Sequence, residues 1–415
     1  MPKNLTRWIG VAIVFGVALG LLANKSPGLA AALAPLSVLG DLFIAALKML
    51  VVPIIATSLI VGVTSIGDVG RVGRMGSRAA AYYLLSTGIA AIVGLTLVNL
   101  INPGIGADLG AATMTEQATR GADLTLGKFV TNFVVRSVRN PFEALAAGDV
   151  LSIIVFCLLF GGALVSLGET ARPVIDLFRG LDKAVMRMIE WVMWLAAPGV
   201  FILLFGALAE GGLDALTSLA KYCVTVVAAL LVHGFVVLPL LVKFVGGMSP
   251  VEWLRGIRPA MAVALSTSSS SATLPVTIEA CEKNLEVPRP VASFVLPLGA
   301  TMNMDGTALY EAIAAVFVAQ AYGIDLSLGQ QFLVFFTASA ASVGAAGIPS
   351  AGLVTMAMVF TAVGLPLEGI GLIVAVDRFL DMGRTVVNVM GDTVGSVVVH
   401  RHTGETGPVE VPPAA

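Results

Sequence analysis

Three cysteines and three histidines in a chain of 415 residues leave several kinds of chemistry without material. Cys157, Cys223 and Cys281 lie in or beside apolar segments with no metal-ligand spacing, so neither a disulfide framework nor a zinc site is supported, and they read as small buried hydrophobes. Of the histidines only His233 falls inside an apolar run, and no motif accompanies it. Charge is also scarce: 12% of residues are Asp, Glu, Lys or Arg, against about a quarter in soluble domains. With 57% hydrophobic residues and a mean hydropathy of +0.95, a soluble globular domain is excluded. A net charge of −2 gives no basic footprint for a nucleic acid.

What is present is a series of long apolar runs. Trp8 to Ala23, Phe43 to Val63, Ala79 to Ile101, Leu151 to Leu167, Val192 to Leu208 and Val224 to Val242 each approach or reach the ~20 residues that span a hydrocarbon core. The chain is therefore read as an all-α integral membrane protein with at least six spans before its C-terminal third. Lys3 and Arg7 precede the first run, Arg71, Arg74 and Arg78 follow the second, and Arg401 follows the last, which places both termini on the cytoplasmic side. A cleaved signal peptide is the alternative for the first run, with the Ala-rich Leu29 to Ala34 as its cleavage region. Only an uncleaved first span puts the Arg-rich loop after an even number of crossings. The Pro-, Gly- and Glu-rich tail from Thr403 to Ala415 reads as disordered.

Against this background the segment from Asp381 to Asp392 is out of place. At about 100° per residue, Asp381, Arg384, Thr385, Asn388 and Asp392 fall at roughly 0°, 300°, 40°, 340° and 20°, on one helix face. Ionisable groups at a helix centre in a bilayer cost roughly 2.5–3.5 kcal/mol each by insertion scales, so they mark a pathway or site for charged solutes.

Two clusters of small residues interrupt the apolar segments: Ser268-Ser-Ser-Ser-Ala-Thr-Leu-Pro275 and Ser342-Val-Gly-Ala-Ala-Gly-Ile-Pro349. Each begins with Ser, closes on an aliphatic-Pro pair and precedes an apolar helix that carries ionisable groups. They could be extramembrane loops chosen for tight packing. Their duplication favours paired re-entrant hairpins, since irregular backbone at membrane depth survives only where it is buried or lines a cavity.

After the first cluster comes Gly299-Ala-Thr301-Met-Asn303-Met304-Asp305-Gly306-Thr307, then Glu311. Asn303 and Asp305 offer hard oxygen ligands, and Gly306 would leave the surrounding carbonyls accessible. A carboxylate with carbonyls and neither His nor Cys nearby in sequence suits Na⁺ rather than a transition metal. Asp392, with Asn388 one turn away, is a second candidate cation ligand. For each Asp the alternative is a buried carboxylate bonded to a broken helix end. Arg384 bears on the substrate, because its rigid donor fork matches a carboxylate as Lys does not. A bare Arg384–Asp381 pair that only fixes packing is the plain alternative. The face holds more polar valence than one ion pair satisfies, and an acidic amino acid would use it: ammonium on Asp381, side-chain carboxylate on Arg384, main carboxylate on Asn388 and the Ser-rich tip.

These residues resemble the glutamate transporter family, the dicarboxylate/amino acid:cation symporters that include excitatory amino acid transporters and their prokaryotic homologues. The resemblance covers nearly the whole chain. It implies eight transmembrane helices plus two re-entrant hairpins, inverted repeats, a homotrimer and an elevator-type transporter. The scaffold would comprise 1–75 and 126–215, and the transport domain 76–125 and 216–402, with hairpins at about 252–284 and 330–365. Substrate contacts carried over from the family fall on Ser268, Ser270, Thr307, Gly352, Asp381, Arg384, Thr385 and Asn388. Sodium sites carried over fall on Tyr83, Ser86, Thr87, Asn303 and Asp305; on Asn388, Asp392 and Gly299; and on Thr301, Met304, Ser342, Val343 and Ala345. Archaeal members carry an Arg in the first tip and mammalian acidic transporters one just before position 384. Here those positions are Ser268 and Met382, so neither is present. Glu311 matches the proton-coupling glutamate of the mammalian proteins, so H⁺ is expected beside Na⁺; a buried carboxyl near an anionic ligand is favoured neutral.

The expected activity is Na⁺-driven symport of L-aspartate or L-glutamate in the cell membrane, with neutral amino acids or C4-dicarboxylates as alternative cargo. An anion channel is the competitor from another class. An intramembrane serine hydrolase would need a base beside the Ser tip, and His233 has no motif for it.

Overall fold

The computed structural model describes residues 5–65, 73–107, 138–147, 149–343 and 352–403, and these are helical with no strand among them. Arg71, most of the long loop expected after Asn102, Ala345 with the rest of the second tip, and the tail beyond Thr403 lie outside the described residues, as does Lys3. A helix bonds its backbone within its own segment, which is what a chain this apolar requires in lipid.

The first three apolar runs form α1 (Leu5–Lys25), α2 (Ser37–Ser65) and α3 (Gly73–Ile101). The fourth forms α4 (Val150–Leu167). The polar stretch before the fifth run, a loop on composition alone, is instead the amphipathic α5 (Arg172–Val192). Its charges pair along the surface, as in Arg179–Asp176 at 3.0 Å and Arg187–Glu190 at 2.7 Å. Asp182 turns inward and accepts from Ser58 at 3.0 Å, which ties α5 to α2.

The fifth and sixth runs are joined in α6 (Ala196–Val232), which breaks at Gly212, where φ is 55° and ψ −136°. Left-handed φ at a helix break is where glycine costs least. The carbonyls left unpaired there do not go unsatisfied: Asn24 Nδ2 donates to Ala209 O at 3.0 Å and Glu210 O at 3.4 Å. Past Val232 the helix loosens into one π-helical turn, His233–Val237, before α7 (Leu238–Phe244).

Four stretches among the described residues are long and apolar enough to cross a membrane: Arg7–Lys25, Pro27–Thr64, Met75–Ile101 and Ser152–Phe244. Val14, Phe15, Leu84, Leu85, Leu159 and Leu231 are exposed on their outer faces. Apolar surface on that scale is tolerated against lipid and not against water.

The C-terminal half is shorter-jointed. It comprises α8 (Arg258–Thr267), α9 (Ser270–Asn284), α10 (Arg289–Met302), α11 (Asp305–Ala321), α12 (Leu328–Val343), α13 (Gly352–Val363) and the unbroken, 34-residue α14 (Ile370–Thr403). α8 packs on α9, and α12 on α13. The first small-residue cluster is less irregular than its composition suggests. Only Ser268 and Ser269 leave the helix: Ser268 is left-handed at φ 50° and Ser269 caps α9 by accepting from Ala272 N at 3.1 Å. Ser270 to Pro275 are already helical. The cap satisfies a first-turn N–H, and Pro275, inside α9, forgoes one internal bond.

α1 lies against α6, and α2 contacts α4, α5 and α6. α11 is the central rod: every residue but Gln320 is buried, and it touches α3, α6, α12 and α14. A helix apolar on all sides has to be enclosed. α14 runs beside it and also meets α8, α9, α10 and α13.

Candidate functional site

The five polar residues of the 381–392 face are all buried, at 2–4% exposure. Arg384 is the centre of the arrangement. Its Nε and Nη2 donate to Asp381 Oδ1 at 3.1 and 2.5 Å, and its Nη1 donates to Asp377 Oδ1 at 3.4 Å. The guanidinium lies over the Tyr310 ring, 4.6 Å from its centroid, while Tyr310 Oη donates to the same Asp377 oxygen at 2.8 Å. Stacking on an aromatic face and a fork-shaped donor set both favour Arg over Lys here. The head of α13 comes so close that a Cβ on Gly352 would collide with the guanidinium.

Between α10 and α11 the chain breaks at Asn303 and Met304, whose ψ values of 80° and 60° leave the helical range. This turns Asp305, fully buried, into the first turn of α11. Its carboxylate accepts from Ser86 Oγ in a short bond, from Thr87 Oγ1 at 2.9 Å and from His233 Nε2 at 3.1 Å. Asn303 reaches the other way, donating from Nδ2 to Asp392 Oδ1 at 3.0 Å, and its Oδ1 is buried with no hydrogen-bond partner among the described residues. Gly391 keeps space open beside Asn303 and Asp305: a Cβ there would lie 2.6 Å from Asn303 Nδ2 and 2.8 Å from Asp305 Oδ2. Gly299 likewise leaves room beside Asp392 Oδ1 and Tyr83 Oη, where a Cβ would lie at 2.6 and 2.8 Å. Two buried carboxylates, an orphaned amide oxygen and space kept open by two glycines fit a hard monovalent cation.

Not every expected grouping is assembled. Tyr83 donates to Val295 O at 2.8 Å, and its hydroxyl borders the same space beside Gly299 as Asp392 Oδ1. Asn388 is directed to the α11 terminus, accepting from Gly306 N at 2.8 Å and donating to Thr307 Oγ1 at 3.3 Å and Met304 Sδ at 3.7 Å. Thr301 is exposed, with its hydroxyl on Leu298 O at 3.0 Å, and Ser342 bonds Ser339 O at 2.8 Å. Among the described residues no hydrogen bond joins Thr301 to Ser342 or Val343. Gly306 has a different reason from carbonyl access: a Cβ would strike the Arg384 carbonyl, so glycine lets α11 lie directly on α14.

Ser268 and Ser270 are buried with hydroxyls that have no partner among the described residues, and Thr385 is buried on α14. Glu311 is fully buried, with the Thr355 side chain beside it. Unsatisfied polar groups at this density are uncommon in a finished interior and point to absent ligands.

Three participants carry no local motif: Asp377, Tyr310 and His233. Asp377 was within reach of the helical-wheel argument, since it falls at roughly 320°, inside the polar face. His233 meets an Asp 72 positions away, a pairing that no spacing rule encodes.

A model of the sodium:dicarboxylate symporter family matches residues 5–402. The chain is 38% identical to an excitatory amino acid transporter of Caenorhabditis elegans, over 97% of this chain and 88% of the relative. It is 37% identical to excitatory amino acid transporter 1 of Ambystoma tigrinum, over 97% and 84%. It is 34% identical to a proton/sodium-glutamate symport protein of Bacillus caldotenax, over 98% and 96%.

Proposed function

This chain belongs to the sodium:dicarboxylate symporter family, and from that premise we propose that it carries acidic amino acids, L-aspartate or L-glutamate, into the cell by symport with Na⁺ and a proton. The observation that carries this reading is the buried Arg384, held between Asp381 and Asp377 on a face shared with Thr385, Asn388 and Asp392. The names of the relatives point the same way, to excitatory amino acids and to glutamate with protons and sodium.

The residues divide the work by charge. Na⁺ is cargo, held by Asp305 with Asn303, Ser86, Thr87 and Tyr83, and by Asp392 with Asn388 and the Gly299 carbonyl. A third position would use Thr301, Met304 and the carbonyls of Ser342, Val343 and Ala345. Cations there lower the cost of admitting an anionic ligand between two buried carboxylates. The ligand's side-chain carboxylate takes the Arg384 fork, its ammonium takes Asp381, and its main carboxylate takes Asn388 and the Ser268–Ser270 tip, with Thr307, Gly352 and Thr385 completing the enclosure. Arg384 has to turn from Asp381 to do this, and Asp381 is thereby released to the ammonium. Glu311 carries the proton.

The same reading supplies the larger architecture: eight spans, two hairpins built on α8–α9 and α12–α13, a scaffold from 1–75 and 126–215, a transport domain from 76–125 and 216–402 that crosses as a unit, a homotrimer, and cytoplasmic termini. Coupling requires that the half-loaded domain be disfavoured from crossing, a matter of relative state energies. The test is uptake of radiolabelled L-aspartate into proteoliposomes with and without an inward Na⁺ gradient, beside Arg384→Ala. Uptake that needs Na⁺, and a variant that loses aspartate while keeping some neutral amino acid transport, support the assignment. Uptake driven by a pH gradient alone would require the cation sites to be reassigned. Currents that persist without substrate and Na⁺ would favour an anion channel.

A further inference from the structure

Three cations meet at the end of the bundle where α3 begins and α7 and α14 finish. Arg78 Nη1 donates to His402 O in a short bond, and Arg401 Nη1 donates to Val245 O at 3.3 Å. A Cβ on Gly247 would collide with the Arg401 guanidinium, so glycine leaves that group its place. Lys243, in the last turn of α7, has its Nζ 5.5 Å from the centroid of the Phe244 ring. Among the described residues no carboxylate pairs with any of the three, whereas Arg172, Arg179 and Arg187 of α5 each have one. Capping a carbonyl uses one of the five N–H donors of each guanidinium and fixes the group in position. Apolar surface leads away from these cations into the span. On α3, Leu84, Leu85 and Ile92 are exposed beyond Arg78; beside Lys243, Phe244, Leu240 and Val236 are exposed one turn apart, Phe244 at 70%. α14 packs against both helices.

We propose that Arg78, Lys243 and Arg401 bind the headgroup of an anionic phospholipid, whose acyl chains lie along the exposed faces of α3 and α7. A phosphodiester offers oxygens that accept from a guanidinium fork and from an ammonium, and basic clusters beside a span recognise anionic headgroups in this way. Two of the three cations are already held by backbone carbonyls, so little side-chain freedom is lost when the headgroup arrives. The same chemistry sets the selectivity. Phosphatidylcholine carries the same phosphodiester, but its choline cancels the charge and adds a fourth cation to three. Phosphatidylglycerol adds none. In the architecture proposed above all three residues belong to the transport domain, and a lipid bound there would travel with it.

The test is the unfolding temperature of the full-length protein in neutral detergent, titrated with short-chain phosphatidylglycerol, with phosphatidylcholine of the same chain length and with glycerol 3-phosphate. Phosphatidylglycerol alone is expected to raise it, and to do so saturably. A basic residue near an anionic headgroup is worth about fivefold in affinity, equivalent to about 1 kcal/mol. The double variant Lys243→Gln/Arg401→Gln should therefore raise the half-saturating concentration by about 25-fold. Lys183→Gln/Arg187→Gln removes the same charge from α5 and should leave it unchanged. A wild type on which phosphatidylglycerol acts no more strongly than phosphatidylcholine overturns the proposal, and that result needs no variant to fold. An equal response to glycerol 3-phosphate also overturns it, because the ligand is then a free phosphate. Equal loss in the two double variants overturns it in favour of diffuse attraction. If the first double variant does not fold, Lys243→Gln alone, which disturbs no carbonyl cap, should show the fivefold step, and no step refutes the site. None of these measurements involves transport, so their outcome is independent of the cargo assignment.

Discussion

Gly391→Ala places one methyl group against Asn303 and Asp305, two of the residues proposed to hold Na⁺, and its consequence can be worked from distances. The new carbon would stand 2.6 Å from Asn303 Nδ2 and 2.8 Å from Asp305 Oδ2, where ordinary contact begins at 3.4 Å. Both atoms would have to retreat by more than half an ångström. Neither is a loose end: Asp305 is tied to Ser86, Thr87 and His233, and Asn303 to Asp392. Overpacking of this kind typically costs about 1–3 kcal/mol. The cation-free protein can relieve part of it by letting the two groups part, but a cation requires its oxygens to converge. Most of the cost therefore falls on the loaded state, and a difference of 1–3 kcal/mol between states is about a 5–150-fold change in affinity. We expect the Na⁺ concentration for half-maximal L-aspartate uptake to rise by that factor in proteoliposomes, with uptake largely recovered at saturating Na⁺. A Gly391→Ala protein that folds and keeps wild-type Na⁺ dependence would refute the placement of a cation between Asn303 and Asp305.

Glu311→Gln should abolish the acceleration of uptake by an inward proton gradient while leaving Na⁺-driven uptake in place; in the wild type, acid outside loads the carboxyl and a more alkaline interior unloads it. An unchanged response to the gradient would exclude Glu311 as the proton carrier. Ser269→Ala removes the α9 cap and should cost about 1 kcal/mol, seen as a lower unfolding temperature in detergent, whereas Ser269→Asp should retain most of the stability. Asn24→Ala leaves the carbonyls of Ala209 and Glu210 without their donor and should destabilise the protein by about 0.5–1.5 kcal/mol with little change in substrate affinity.

The face of α14 was legible in the sequence because its signal is local: a helical period and charged residues in an apolar run suffice to bring Asp381, Arg384 and Asn388 together. The same wheel carried one turn upstream would have included Asp377. The break at Asn303 and Met304 was also readable in outline, yet the role of Gly306 was not, because the atom it accommodates, the Arg384 carbonyl, belongs to a helix far along the chain. His233 illustrates the limit. Its neighbours in sequence name no partner, whereas the fold pairs it with Asp305, and only the path of α6 past α11 brings them together. The first Ser-rich tip is helical over most of its length because a cap at Ser269 outweighs the low helix propensity of the serines that follow.

The contact of Arg384 with Asp377 and Asp381 bears on what an affinity measurement on this protein means. A guanidinium already matched by two carboxylates is not waiting for a partner; on the proposed reading a ligand has to displace one arrangement to obtain another. The observed dissociation constant is then the difference between two nearly complete sets of interactions, and it understates how firmly the bound ligand is held. Small changes to the resting arrangement, such as loosening Tyr310 from Asp377, would alter apparent affinity as much as changes to the ligand's own contacts. Ligand series on this protein should accordingly be interpreted against the energy of the empty state as well as the filled one.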